Sequence, residues 1–241
     1  MTSSLEFENG RETRLTFDGN YTGPIWTPDG RYLVATRTDG GLYWMRSDGA
    51  STAQPLLAGP QKRQFPLSIN GKQKRLAFME EYRANTYHLW TAPFEFDGSG
   101  VRAGKPEPFF HTPDKDERHP MFSPDGRWLA YTSNEFGKNQ IYVRAFPGSP
   151  SSGRWLISKE GGVYPAWSRD GSQLFFRTED NQIMVAENAR LPPIRLPVTV
   201  RGLGPIAGSP ISGRPQITMS IRMGRGLSAS SRMRLPSRDI K

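Results

Sequence analysis

Apolar runs alternate with short polar, glycine-bearing segments from residue 24 to residue 187, and one order of elements recurs four times. The turn segments read "PIWTPDGRYLV" (24–34), "PLSINGKQKRLAF" (66–78), "HPMFSPDGRWLAY" (119–131) and "YPAWSRDGSQLFF" (164–176). Aligned on Gly30, Gly71, Gly126 and Gly171, they are spaced by 41, 55 and 45 residues. In S-P-D-G the proline presets φ for the first central position of a type I turn, aspartate suits the second, and glycine supplies the positive φ needed next. Such a turn closes a hairpin. In the second copy Ile69-Asn70-Gly71 stands for Pro-Asp-Gly, and in the fourth Arg169 stands for the proline.

After each turn comes a run apolar on both faces, with Leu33, Leu76, Leu129 and Leu174 in the matching place. That pattern fits a strand buried between packed sheets. A third strand follows at 42–46, 88–92, 140–146 and 182–186, and a more polar fourth at 54–59, 107–112 and 153–162. Four antiparallel strands at this period predict an all-β chain of β-propeller blades, about four of them, four-stranded, near 21–59, 64–112, 119–162 and 164–187. A β-sandwich with fortuitous turn similarity is the weaker alternative. The last blade shows three strands only. Residues 11–17 read as an orphan or closing fourth strand, because "TRLTFDGNYTGPIWTPDG" parallels "RWLISKEGGVYPAWSRDG". The repeats therefore describe either a closed small ring or part of a larger one. The longest interval holds an insertion at 92–107, expected as a long hairpin or a contact loop.

Charge divides the chain. Residues 190–241 carry ten Lys/Arg and one acidic residue, Asp239, whereas residues 1–189 balance 22 basic against 22 acidic residues. The net +9 is thus a property of the last 52 residues, which also contain no aromatic residue. The expectation is a propeller domain over 1–189 and a basic Pro/Gly/Ser/Arg-rich tail over 190–241. The tail reads as disordered, as a linker, or as out-of-frame translation of further propeller. Nucleic-acid contact is expected from its charge alone, if at all.

No cysteine is present, which excludes disulfides, thiolate metal sites and thiol catalysis. No signal peptide or membrane-spanning run is read in the chain, which as written is expected in the cytoplasm. No G-x-S-x-G occurs, and "GSPSSG" (148–153) and "GSPISG" (208–213) read as loops. His88, His111 and His119 lack metal-ligand spacing and read as strand or loop residues. Asp114, Asp116 and Glu117 in "TPDKDERHP" lack the EF-hand pattern and read as an inter-blade connector. Trp26, Trp44, Trp90, Trp128, Trp155 and Trp167 fall in strands and read as packing residues. No catalytic, cofactor-binding or metal-binding residue is assigned, and no cofactor is expected.

"FSPDGRWLAYTSN…QIYVRAFPG…RWLISKEGGVYPAWSRDGSQLFF" resembles the TolB-like and WD-like propeller repeats of bacteria over residues 11–187, most of all the propeller that follows the kinase domain in bacterial serine/threonine protein kinases. Similar blades occur in TolB, in transcriptional regulators and in the non-catalytic domain of prolyl-oligopeptidase-type enzymes. The chain holds no glycine-rich loop with its strand lysine, no H-R-D and no D-F-G, so kinase activity does not carry over. The resemblance implies a non-enzymatic interaction or sensory module with a protein or small-ligand partner on a propeller rim, and no membrane contact. The alternative is the propeller domain of a prolyl-oligopeptidase-type hydrolase without its catalytic domain.

Overall fold

The computed structural model describes residues 4–6, 12–16, 20–57, 62–110, 114–148, 153–187, 199–205, 217–223 and 227–233. All regular elements among them are strands. They divide into two compact units, residues 1–61 with 207–241, and residues 62–206.

The first unit holds β1 (Ser4–Glu6) paired with β2 (Glu12–Arg14), and one blade in the order β3 (Tyr21–Trp26), β4 (Tyr32–Arg37), β5 (Leu42–Arg46), β6 (Gln54–Leu57). The second unit holds three blades. Blade 2 is β7 (Gln64–Asn70), β8 (Arg75–Arg83), β9 (Thr86–Asp97) and β11 (Glu107–Phe110), with β10 (Gly100–Ala103) pairing the far end of β9. Blade 3 is β12 (Glu117–Phe122), β13 (Trp128–Ser133), β14 (Gln140–Ala145) and β15 (Arg154–Leu156). Blade 4 is β16 (Val163–Trp167), β17 (Gln173–Arg177), β18 (Gln182–Glu187) and β19 (Thr199–Pro205). The antiparallel pair β20 (Ile217–Met223) and β21 (Leu227–Met233) belongs to the first unit. Four antiparallel, meander-ordered, four-stranded sheets are the blades of a β-propeller. The insertion at 92–107 is the β9–β10 hairpin, which prolongs blade 2.

The stretch set aside as a tail holds β19, which pairs with β18 as the fourth strand of blade 4. Residues 12–14, read from the sequence as an orphan or closing strand, pair with β1. The outermost strand of a blade needs no continuous apolar run, and "TVRGLGP" offers no alternation to read. Residues 188–198 and 206–216, along with His111 and most of "GSPSSG", lie outside the described residues.

The S-P-D-G turns form as expected in three blades. The N–H groups of Gly30, Gly126 and Gly171 donate to Thr27, Ser123 and Ser168 carbonyls, each at 2.9 Å, with glycine φ of 72°, 79° and 73°. Aspartate locks the turn. Ser123 Oγ donates to Asp125 Oδ1 (2.6 Å), which also accepts from the Arg127 N–H (3.1 Å). In blade 2 the alignment on Gly71 is displaced. Asn70 pairs with Arg75 and takes the place of Ser123, and its Oδ1 accepts from the Lys72 and Gln73 N–H groups (3.0 and 3.1 Å). The left-handed residue is Lys74 (φ 50°). A side-chain amide closes this turn by itself, so no glycine is needed at the Gly126 position.

Burial explains the repeated leucine. Leu33 is 2% exposed, and Leu76, Leu129 and Leu174 are fully buried. Between blades 3 and 4, Trp128, Ile141 and Val143 pack on Leu174 and Phe176. Between blades 2 and 3, Ala77 meets Phe122 and Leu129, and Leu89 meets Tyr131 and Tyr142. Cross-blade polar bonds fix the register: Ser68 Oγ accepts from the Phe122 N–H (3.0 Å), and Trp167 Nε1 donates to the Met121 carbonyl (3.1 Å).

Candidate functional site

The first strand of every blade carries a register shift, between Thr22 and Ile25, Pro66 and Ser68, Arg118 and Met121, and Val163 and Ala166. In three blades a left-handed residue followed by proline sits at the shift: Gly23 (φ 60°), His119 (φ 56°) and Tyr164 (φ 57°). Proline cannot donate to a ladder, and a bulge is where a strand tolerates it. Glycine adopts this backbone freely. Histidine and tyrosine do so at a cost on the order of 1 kcal/mol each, and such strain concentrates at functional sites.

These two strained residues touch. The His119 and Tyr164 rings lie 4.1 Å apart between centroids at 41°, bridging blades 3 and 4. Arg177 lies over Tyr164, with Cζ 4.7 Å from the ring centroid. Its place in the sheet, opposite Val163, is held by Thr36 opposite Thr22 in blade 1 and by Thr132 opposite Arg118 in blade 3. Arg177 is half-buried, and its Nε and Nη1 are screened from solvent without an acceptor.

Arg118 is fully engaged. It pairs with Asp116 (Nε to Oδ2, 2.6 Å), donates to the Asn85 carbonyl, and stacks over Tyr87 at 4.5 Å. Asp116 in turn accepts from the Tyr87 N–H (2.9 Å), and its own N–H donates to Asn134 Oδ1 (2.9 Å). Asp114 pairs with Arg83, and Glu117 is fully buried. Asp114 and Asp116 are therefore spent on joining blades 2 and 3. Burial, then the charges of Arg118 and Arg177, push the His119 pKa down to about 3. The imidazole is neutral at physiological pH. Its Nδ1 lies 3.3 Å from Thr132 Oγ1, but Thr132 is 1% exposed, so this hydroxyl is enclosed and not an accessible nucleophile. Among the described residues, no group of three or more His, Asp or Glu side chains is placed to hold a metal ion.

A second feature lies at the turn end of the same unit: a cleft of about 260 Å³ lined by Arg75, Thr91, Glu107, Phe109 and Phe146. Its cation is already neutralised, because Arg75 Nη2 donates to Thr91 Oγ1 (2.7 Å) and Glu107 Oε2 (2.8 Å).

The sequence reading assigned no site residue, and the cluster of Arg118, His119, Tyr164 and Arg177 escaped it. The available signal was the X-Pro pair ahead of each turn. Gly-Pro in the first copy becomes His-Pro and Tyr-Pro in the third and fourth, which places large rings where the backbone favours glycine.

No family model matches the chain, and no curated protein matches it. Solved structures do. A TolB of Agrobacterium tumefaciens, described as putative, superposes with a TM-score of 0.60 at 16% identity, over 80% of this chain and 69% of that one. TolB of Acinetobacter baumannii gives 0.59 at 14% identity, over 97% and 64%. A puromycin-hydrolyzing peptidase of Mycobacterium tuberculosis gives 0.57 at 16% identity, over 77% of this chain but 33% of the peptidase. The chain thus spans about two thirds of the TolB structures and one third of the peptidase, and at these identities the likeness is one of fold: a TolB-like β-propeller.

Proposed function

We propose that this chain is a non-enzymatic protein-interaction module, derived from a TolB-like or kinase-linked propeller protein. One observation carries the reading. Two non-glycine residues, His119 and Tyr164, hold left-handed backbone on adjacent inner strands and bring their rings together beside Arg177. Aromatic faces next to a guanidinium form the kind of anchor that dominates protein interfaces. A photo-crosslinking residue at Glu179, in the turn just past Arg177, tests it in cells. The expected result is a discrete crosslinked partner that is lost in Tyr164→Ala. Crosslinking no greater than from Gln73, at the opposite end of the blades, overturns the reading.

The similarity to the peptidase supports a second reading, a propeller domain of a prolyl-oligopeptidase-type hydrolase. The flanking DNA separates the two. A downstream frame with G-x-S-x-G favours the hydrolase, and an upstream frame with H-R-D and D-F-G favours the kinase-linked module.

A further inference from the structure

We propose that the outer edge of blade 3 receives an extended acidic segment of another protein, added as a further strand beside β15 and seated on Phe136 and Leu156. This surface is separate from the contact of His119 with Tyr164. Three observations carry it.

The first is substitution within the repeat. The turn between second and third strands closes on Gly40 in blade 1, Gly137 in blade 3 and Asn181 in blade 4. Their N–H groups donate to the Arg37, Asn134 and Thr178 carbonyls at 3.0, 2.8 and 3.1 Å. The residue before the closing one is Asp39 in blade 1 and Asp180 in blade 4, where it accepts from the Thr178 hydroxyl. In blade 3 it is Phe136, which is 70% exposed. The turn thus forms without an apolar residue, and Phe136 adds nothing to the core.

The second is clustering. Tyr82, Phe136 and Leu156 are the exposed large apolar side chains of the described residues, and two of them flank Arg154. Arg154 Cζ lies 5.2 Å from the Phe136 ring centroid and 5.3 Å from that of Tyr142, the cross-strand neighbour of Leu156. An ion pair with Glu135 ties Arg154 to the turn that carries Phe136. Apolar side chains grouped on a held surface mark an interaction site.

The third is an open edge. Val143 pairs with Trp155, and the Ile141 carbonyl accepts from the Ile157 N–H (2.8 Å). The alternation of an antiparallel ladder therefore turns the backbone N–H and C=O of Arg154 and Leu156 away from β14. No strand of the described residues pairs with that side. An added strand satisfies these groups while it lays its side chains on the patch. A lipid surface would satisfy none of them, so the occupant is a polypeptide. Charge sets its character. Lys138, two residues from Phe136, and Lys159, three from Leu156, are both exposed. The lysines ion-paired among the described residues are Lys62 and Lys74, which leaves these two for carboxylates from outside. A second copy of the chain would bring the same cations to the contact and is disfavoured.

The test selects random display peptides on the immobilised full chain and measures the best-enriched peptide by fluorescence anisotropy. Enriched peptides are expected to alternate apolar residues and to carry Asp or Glu. N-methylation of one of the two alternating sets of peptide amides is expected to abolish binding, because it removes ladder donors and keeps the side chains. Affinity is expected to fall about tenfold in Leu156→Thr and in Phe136→Asp, which restores the residue of blades 1 and 4. Both positions are exposed, so the fold is kept. In Tyr82→Ser and Tyr164→Ala the native affinity is expected. No enriched peptide, binding indifferent to N-methylation of either set, or native affinity in both Leu156→Thr and Phe136→Asp overturns the proposal. So does another occupant: phosphatidylserine vesicles that sediment with the native chain but not with Phe136→Asp, or self-association in light scattering that Leu156→Thr abolishes. Any of these failures leaves the crosslink from Glu179, and the reading it tests, untouched.

Discussion

His119 and Tyr164 belong to different blades and both hold left-handed backbone, yet their rings meet at 4.1 Å. The contact depends on the strain, because an extended backbone at either residue would turn the ring along the normal alternation of its strand. The backbone cost can be separated from the ring contact. His119→Gly and His119→Ala both remove the ring, but only glycine relaxes a φ of 56°. The glycine variant is expected to be more stable than the alanine variant by about 1 kcal/mol. Urea midpoints decide, and equal midpoints would mean that the backbone at 119 stores no strain.

The neutral state of the half-buried His119 sets a pH dependence. Its folded-state pKa of about 3 lies below the ordinary 6.5, so between these values the unfolded chain binds the proton and the folded chain does not. Stability contributed by this group is therefore complete above about pH 6.5 and declines as pH falls toward 3. The charges of Arg118 and Arg177 also oppose protonation, and the Tyr164 ring lies against the imidazole. Denaturant unfolding from pH 7.5 to pH 4.5 is expected to show a shallower loss in His119→Gln than in the native chain. Parallel slopes would show that His119 titrates normally.

The blades were legible because the repeat states one solution four times. Leu33, Leu76, Leu129 and Leu174 hold the same place in their blades and are all buried, and the aspartate of S-P-D-G is a turn residue in each blade that has it. The misreadings arose where chemistry other than the motif did the same task. Asn70 closes its turn through a side-chain amide, so aligning on Gly71 placed the glycine two positions from its structural equivalent. Thr199–Pro205 is recognisable only through its pairing with β18, because an outer strand leaves little apolar pattern. The cluster at Arg177 was illegible for another reason. Each of its residues is unremarkable alone, and their meeting depends on bulges in two strands more than forty residues apart.

Two glycines test close approach against backbone conformation. Gly126 and Gly137 have similar φ, 79° and 87°. A Cβ at Gly126 would lie 2.3 Å from Asn70 Nδ2 and 2.9 Å from Gln73 Cγ, in the turn of the neighbouring blade, whereas one at Gly137 would meet nothing within 4 Å. Both alanine substitutions incur the left-handed penalty of about 1 kcal/mol. Gly126→Ala is expected to cost a further 1–3 kcal/mol, typical of overpacking. Equal losses in thermal denaturation would mean that the Asn70 side chain yields freely and that the two turns are not mutually packed.

The fourth strand of blade 4 makes a prediction about where the fold ends. β19 pairs with β18 from Glu187↔Thr199 to Gln182↔Pro205, which satisfies backbone groups that would otherwise form an open edge. A chain ending at residue 206 and one ending at residue 187 both lack β20 and β21, so comparing them isolates β19 and its connection. Net gains near 1 kcal/mol per hydrogen bond, offset by the ordering of the added segment, leave an expected advantage of about 2–4 kcal/mol for the longer chain. The longer chain is also expected to stay soluble at concentrations where the shorter one associates, since an unpaired β18 presents a template for another strand. Differential scanning calorimetry and light scattering give the two readouts. Matching melting temperatures and matching solubility would remove residues 199–205 from the folded unit and return its boundary to residue 189.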